Sequence, residues 1–264
     1  MKQMIVTICN ASYAGLLEPW LAAIRKLTEL PITVLCLSGF KPPSKLPCGM
    51  MEVAEYGNPF PSDLPDHACA EKLRIFEHIP AADRILFIDL DVLVLRPFWE
   101  QESYFNISSN KLVLVPDLFV GYKEKMEEEF RPYDPAFRMR YTKDGRFFYF
   151  NTGVFFASRE AHMEWFRRFL ATWKDYLEKT GKRPSIFDQN MVNYCLIRFD
   201  LPVYSMPVVN NCLRQYETLE VANGRLMLNR NEVNAYHFNG GDGAKKLERW
   251  REMLRKLEVN HDST

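Results

Sequence analysis

Ile85-Leu86-Phe87-Ile88-Asp89-Leu90-Asp91-Val92-Leu93-Val94 is the stretch on which the reading of this chain turns. Four consecutive apolar residues leading into carboxylates read as a strand buried on both faces. Its end presents two acids at the carboxyl edge of a sheet, where open α/β folds bind their ligands. Alternate residues of an extended segment point the same way, so Asp89 and Asp91 are expected to share one hard cation. Two close carboxylates repel unless a cation neutralises them. Oxygen ligands favour Mg²⁺ or Mn²⁺, with a bound diphosphate completing the shell. The competing reading is a strand end carrying two solvated acids.

Toward the N-terminus, residues 4–8 read as a strand, and Leu16, Leu17, Trp20, Leu21, Ile24 and Leu27 fall at helical spacing. Residues 32–37 form a second strand before a Pro-rich loop, Lys41-Pro42-Pro43-Ser44. A helix over about 66–78 precedes the central strand. Beyond it, residues 111–116 read as a strand, and 147–157 as a long aromatic strand broken by Asn151-Thr152-Gly153. Residues 121–146 are charged and Pro-punctuated, a partly helical insert that is either a solvated excursion or a lid. Met163, Phe166, Phe169, Leu170, Trp173 and Leu177 mark an amphipathic helix. The alternation predicts an α/β fold with a mostly parallel central sheet.

The 264 residues are 47% hydrophobic and 26% charged, the range of a soluble globular protein with a core that needs no staples. Thirty-four basic side chains balance 34 acidic ones, so no basic field calls for nucleic acid. Cys9, Cys36, Cys48, Cys69, Cys195 and Cys212 form no C-x-x-C pair. Most lie in apolar stretches and are expected to be buried thiols rather than zinc ligands or disulfides. The apolar run at residues 4–8 is too short for a signal peptide or a membrane span, which predicts a cytoplasmic protein.

Two metal-carboxylate classes carry an Asp-x-Asp after an apolar strand. One is the haloacid-dehalogenase-like phosphatase, with Asp89 as nucleophile and Gly241-Asp242-Gly243 mimicking its last acidic motif. The second acid of that motif is missing, since Ala244, Lys245 and Lys246 follow. The other class is the nucleotide-sugar glycosyltransferase of GT-A fold. Several further segments bear on the choice: Val6-Thr7-Ile8 with Asn10 and Tyr13, Ala70-Glu71-Lys72-Leu73 before the Asp89-Leu90-Asp91 motif, and Val115-Pro116-Asp117. Phe150-Asn151-Thr152-Gly153-Val154-Phe155, Asp188-Gln189 with Asn193, and His237-Phe238 with Gly240 complete the set. Taken in chain order, these segments resemble glycosyltransferase family 8, the family of glycogenin and bacterial lipopolysaccharide galactosyl- and glucosyltransferases.

The resemblance implies one GT-A, Rossmann-like domain over residues 1–264. Residues 4–91 would be its nucleotide-binding half, 92–245 its donor-sugar and acceptor half with the insert 121–146, and 246–264 a terminal helix and tail. It implies metal ligation by Asp89, Asp91 and His237, a set of carboxylates and imidazole that suits Mn²⁺ or Mg²⁺. It implies donor contacts from Ile8, Asn10, Tyr13, Lys72, Leu90, Asp117, Asn151, Gly240 and Lys245. Asp188 and Gln189 would sit by the anomeric carbon, as nucleophile, cation stabiliser or orienting pair; an N-cap role for Asp188 is the structural alternative. The implied reaction is retaining transfer of a hexose, glucose or galactose, from a UDP-sugar to a hydroxyl of a carbohydrate, glycolipid or protein. A non-catalytic nucleotide-sugar-binding protein is the alternative from another class.

The sequence departs from the family pattern after His237. Gly243 stands where the family carries a phosphate-binding Lys, and Lys245 or Lys246 is expected to take over through a flexible loop, Gly240-Gly241-Asp242-Gly243. Residues 245–257 then place Leu247, Trp250, Met253, Leu254 and Leu257 on one helical face. With six bases and three acids over residues 245–258, this helix either packs on its own domain or touches the inner face of a membrane.

Overall fold

In a computed structural model of the protein, the deciding stretch folds as two short strands around a turn. The structure describes residues 1–37, 40–41, 49–52, 67–100, 103–118, 122–141, 145, 148–213, 218–240 and 242–259. Cys48, Gly241, Pro42, Pro43, Ser44, Phe147 and parts of the 66–78 helix and the 121–146 insert lie outside the described residues. The fold is α/β, with a mixed, mostly parallel seven-stranded central sheet flanked by helices.

The chain divides into two compact units that interleave along the sequence. One comprises Met4–Ala54, Leu86–Ser103 and Pro207–Thr264. It opens with β1 (Gln3–Cys9), α1 (Ala14–Arg25), β2 (Ile32–Cys36) and β3 (Gly49–Glu52). These three strands pair in parallel in the order β3-β2-β1, with Ile5 opposite Ile32 and Val34 opposite Met50. Crossovers between parallel neighbours demand covering helices, and α1 buries Leu16, Leu17, Trp20, Leu21 and Ile24 as its spacing predicts.

The other unit comprises Met1–Gln3, Glu55–Ile85 and Tyr104–Met206. The helix expected over 66–78 is two shorter ones, α2 (His67–Lys72) and α3 (Ile75–His78). β4 (Arg84–Ile88) is divided between the units and all five of its residues are buried. In the first unit, β5 (Val92–Val94) follows directly. In the second come α4 (Tyr104–Ile107), β6 (Leu112–Pro116), α5 (Tyr122–Phe130), β7 (Phe150–Ser158), α6 (Arg159–Thr180), α7 (Phe187–Arg198) and β8 (Val203–Ser205). Their strand order is β7-β6-β8, antiparallel between β6 and β7 and parallel between β6 and β8.

β7 is one continuous strand, not the interrupted one that the sequence predicts. The expected break is a slip in pairing instead: Phe155 faces Leu114, yet Asn151 faces Val115, so residues 152–154 bulge out of register. Bulges re-aim side chains and gather near functional sites. α6 starts on the Ser158 side chain, which accepts from the Ala161 N–H, and ends at Gly181 with φ +63°. That left-handed cap is what glycine supplies without a Cβ penalty.

The first unit closes with β9 (Cys212–Leu213), β10 (Leu219–Ala222), β11 (Arg225–Leu228), β12 (Asn231–Glu232), β13 (Ala235–His237) and α8 (Gly243–Val259). β10-β11-β12 form a small antiparallel sheet, and β5-β13-β9 another. The apolar stripe of α8 turns onto its own unit: Trp250 is buried and stacks on Phe238 with ring centroids 5.8 Å apart. Leu247, Met253, Leu254 and Leu257, the rest of the stripe, are half-buried. Among the described residues, no helix is long and apolar enough to cross a membrane. Cys9, Cys36, Cys195 and Cys212 are buried and Cys69 is half-buried, as the apolar surroundings predict.

Candidate active site

The strand β4 stops at Ile88, and Asp89, Leu90 and Asp91 form a turn closed by the Val92 N–H donating to the Asp89 carbonyl at 3.0 Å. The two carboxylates therefore converge across a turn rather than by alternation along an extended strand. β5 then pairs antiparallel with β13, which sets His237 opposite Val92. The Phe238 N–H donates to the Asp91 carbonyl at 2.9 Å and fixes the two segments side by side. Ligand atoms of Asp89, Asp91 and His237 all lie within 4.8 Å of one another.

This donor set fits a divalent cation. Asp91 Oδ1 and His237 Nε2 are 3.3 Å apart. Two ligands about 2.1 Å from one octahedral cation sit about 3 Å from each other. His237 Nδ1 is buried without a hydrogen-bond partner, so Nε2 is the nitrogen turned toward the carboxylate.

The other oxygen of Asp91 is held by a lysine. Lys246 Nζ lies 2.5 Å from Asp91 Oδ2 and donates to the Tyr13 hydroxyl at 2.8 Å. It also sits 4.9 Å from the centre of the Tyr13 ring, within cation–π range. Burial by itself would raise the Asp91 carboxyl, but His237 and Lys246 hold it well below the usual carboxylate range. Burial works against the Lys246 charge, and Asp91 outweighs it to keep the ammonium above its ordinary value. Burial and the Asp91 charge push the Tyr13 phenol up.

Lys246 reaches this place because of where α8 begins. Gly243, the first residue of the helix, packs against the turn at 11–13: a Cβ there would lie 2.0 Å from the Ser12 carbonyl oxygen. No side chain fits, which gives a physical reason for glycine where the family resemblance expects lysine. Asp242 caps the helix by accepting from the Lys245 N–H at 2.9 Å. A helix turns about 100° per residue, so of two adjacent lysines only one can face the site. Lys245, expected to contact donor, instead has its side chain 66% exposed and pairs with Asp242 at 3.7 Å. Gly240, with φ +74°, ends the segment that leaves β13.

Asn10 also has a local duty. Its side-chain oxygen accepts from the Tyr13 N–H at 3.2 Å and the Ser12 hydroxyl at 2.7 Å, forming the turn that carries Tyr13. Ile8 lies in β1, opposite Leu35, and Leu90 is buried in the turn between the two carboxylates.

The second unit gathers a different set. Lys72, at the end of α2, is buried and pairs with Asp188 at 3.1 Å. Thr152, from the bulge of β7, donates to the same Asp188 oxygen at 2.8 Å. Asp188 is not the N-cap of α7; Ile186 holds that position, and Asp188 stands in the first turn with its carboxylate engaged by Lys72 and Thr152. Gln189 accepts from the Asn151 amide at 2.9 Å and donates to Asp117 at 3.2 Å and to the Tyr149 hydroxyl at 3.0 Å. Asn193 donates to the Phe150 and Gln189 carbonyls and accepts from the Phe150 N–H at 2.7 Å, pinning α7 to β7.

Residues 188–196 of α7 are all buried, so every polar one must find a partner inside the protein. Phe187, immediately before the pair, has φ +32°, a strained backbone for a bulky residue. Tyr149 and Asn190 were not singled out by the sequence reading. Tyr149 donates to Asn190 at 2.6 Å, and Asn190 donates to Glu129 of α5 at 2.8 Å. The available signal was three amides, Gln189, Asn190 and Asn193, on a short helix otherwise rich in Met, Val, Cys and Leu.

Comparison with known protein families and with curated protein sequences gives no match. Solved structures do match. One is a galactosyltransferase, LgtC, crystallised with donor and acceptor sugar analogues: TM-score 0.62 and 20% identity over 96% of this chain and 95% of that one. Another is mouse xyloside xylosyltransferase 1 in its apo form: TM-score 0.59 and 14% identity, covering 90% of this chain and 98% of that one. A third is the apo WbbM bifunctional glycosyltransferase, with TM-score 0.57 and 16% identity; 97% of this chain matches 49% of it. The likeness at such identities is one of fold, and the chain shares the α/β architecture of these enzymes.

Proposed function

We propose that this protein is a retaining, metal-dependent glycosyltransferase that moves a hexose, glucose or galactose, from a UDP-sugar to a hydroxyl acceptor. Polysaccharide or glycolipid synthesis in the cytoplasm is the setting this reading gives it. The observation that carries it is the convergence of Asp89, Asp91 and His237 in one turn-and-strand arrangement, in a fold shared with sugar transferases. Mn²⁺ or Mg²⁺ held by these three would stabilise negative charge on the diphosphate as the glycosidic C–O bond breaks.

The chain's own residues take separate parts. Tyr13 offers a ring for the base, and Lys246 a charge for phosphate. In the other unit, Asp117, Asn151 and Gln189 present acceptors and donors of the kind that tell sugar hydroxyls apart. Asp188 and Gln189 supply the oxygen atoms that stabilise a positive anomeric carbon. Lys72, held by Asp188 and the Thr152 carbonyl, keeps that carboxylate oriented rather than meeting phosphate directly.

The test is UDP release from a panel of UDP-sugars, with Mn²⁺ and with EDTA, beside Asp91→Ala and His237→Ala. Release that needs the metal and is lost in both variants is expected. Release of inorganic phosphate by attack of Asp89 would assign the phosphatase chemistry instead. Absence of metal-dependent UDP binding by calorimetry would sink the UDP-sugar reading.

A further inference from the structure

The most unusual group in the metal-binding unit is the buried ammonium. Lys246 is 4% exposed and Asp91 6%, and they meet at 2.5 Å with no solvent between to screen them. Asp89 and Asp91 bring two carboxylates to one turn, and Lys246 pairs with Asp91. A divalent cation bound by Asp91 Oδ1 and His237 Nε2 would share its carboxylate with that ammonium. Two cations on one buried carboxylate repel strongly, because the low dielectric of the site does little to weaken them. A diphosphate arriving with the cation would offer the displaced ammonium a new anionic partner. Lysine suits such an exchange, being a compact charge on a flexible four-carbon stem.

We propose that Lys246 is an exchangeable counter-ion: it holds the Asp91 carboxylate in the metal-free enzyme, yields it to the divalent cation, and passes to the donor's diphosphate. The inference rests on the sugar-nucleotide reading for its second half only. Tyr13 is the pivot, since its hydroxyl and ring contact the ammonium without carrying a competing negative charge. The exchange makes metal and nucleotide binding cooperative: removing the lysine from Asp91 opposes the metal alone, and engaging it on phosphate favours the pair. By linkage, each ligand then tightens the other by the same factor.

The experiment is calorimetric titration of the full chain with Mn²⁺ alone, and with UDP at saturating Mn²⁺. It compares wild type, Lys246→Met, Lys246→Gln and, as a surface control, Lys245→Met. Lys246→Met and Lys246→Gln are expected to bind Mn²⁺ alone about 10-fold more tightly and UDP with Mn²⁺ about 10-fold more weakly, while Lys245→Met changes neither. Lys246→Gln retains a donor for Tyr13, which keeps the comparison valid if Lys246→Met unfolds. If both Lys246 variants fail to fold, the wild type decides: a Mn²⁺ affinity unchanged by UDP overturns the exchange. Unchanged or weaker Mn²⁺ binding in the variants overturns it as well, and makes Lys246 a fixed support of the carboxylate. Wild type that binds Mn²⁺ but not UDP removes the sugar-nucleotide reading, while the Mn²⁺ comparison still decides whether the lysine competes.

Discussion

Asp91 and Asp188 are both buried aspartates paired with a buried lysine, yet their surroundings differ in kind. Asp91 has a second carboxylate, Asp89, beside it, an imidazole on one oxygen and an ammonium on the other. Asp188 has Lys72 and a hydroxyl on one oxygen, and amides follow it along its own helix α7. The first arrangement gathers two carboxylates and an imidazole whose ligand atoms a divalent cation can share. The second is a set of buried side chains that orient one another through hydrogen bonds. A buried ion pair is thus an exchange site in one unit and an orienting device in the other.

The largest effect that sharpens this contrast is on turnover. Asp188→Asn is expected to lower kcat on the order of 10³-fold, about 4 kcal/mol of barrier, with Mn²⁺ affinity unchanged. Steady-state kinetics and metal titration on the same sample check it, and a shifted Mn²⁺ affinity would break the separation.

Stability comes next. Removing one partner of a buried pair leaves an uncompensated charge and costs about 3 kcal/mol or more. Urea unfolding should therefore show a loss of that size for Lys72→Met whether or not Mn²⁺ is present. Lys246→Met should show a loss that Mn²⁺ restores. Equal recovery in both variants would erase the distinction.

Acid separates the regions by pH window. Burial holds the His162 imidazole at about 4, against an ordinary 6.5, so it is neutral in the folded chain. Below 6.5 the unfolded chain takes up a proton that the folded one refuses, and stability falls between 6.5 and 4 by up to about 3 kcal/mol. Asp91, held low by its partners, contributes stability above its ordinary 3.8 that is lost only as pH falls further. His162→Gln should flatten the upper window in acid titrations and leave the lower one; a surviving upper slope would assign it to other groups.

The smallest effect is at Asn10. Asn10→Ala removes the side-chain acceptor of the turn at 11–13 and should cost about 1 kcal/mol in urea unfolding, with Mn²⁺ affinity intact.

Much of the fold was legible because its signals are local. The apolar spacing of α1 and the buried run of β4 follow from side-chain periodicity, which neighbours along the chain impose. Asp89 and Asp91 were legible as a pair for the same reason. Two residues that close in sequence converge whether the backbone extends or turns, although the reason given from the sequence, alternation along a strand, was not the one that operates. The break expected at Asn151-Thr152-Gly153 was a real irregularity whose form, a slip against β6, depends on a partner strand the local sequence does not describe.

His237 joins the two acids only through the pairing of β13 with β5, across more than a hundred residues; no local pattern encodes it, and only the family resemblance suggested it. The amide network of Gln189, Asn190 and Tyr149 needed α7 to be buried on every side before its polar residues acquired obligations. The choice between Lys245 and Lys246 shows the division most clearly. Two adjacent lysines are equivalent as composition and nearly so as propensity. What separates them is the phase of α8, fixed where Gly243 meets the Ser12 carbonyl, and that contact exists only once distant segments have folded together. The sequence by itself determined where strands, helices and the acid pair would form, because short-range sterics and periodicity decide those. The tertiary structure alone decided which lysine, which histidine and which amides share the sites, because long-range packing sets the direction each side chain faces.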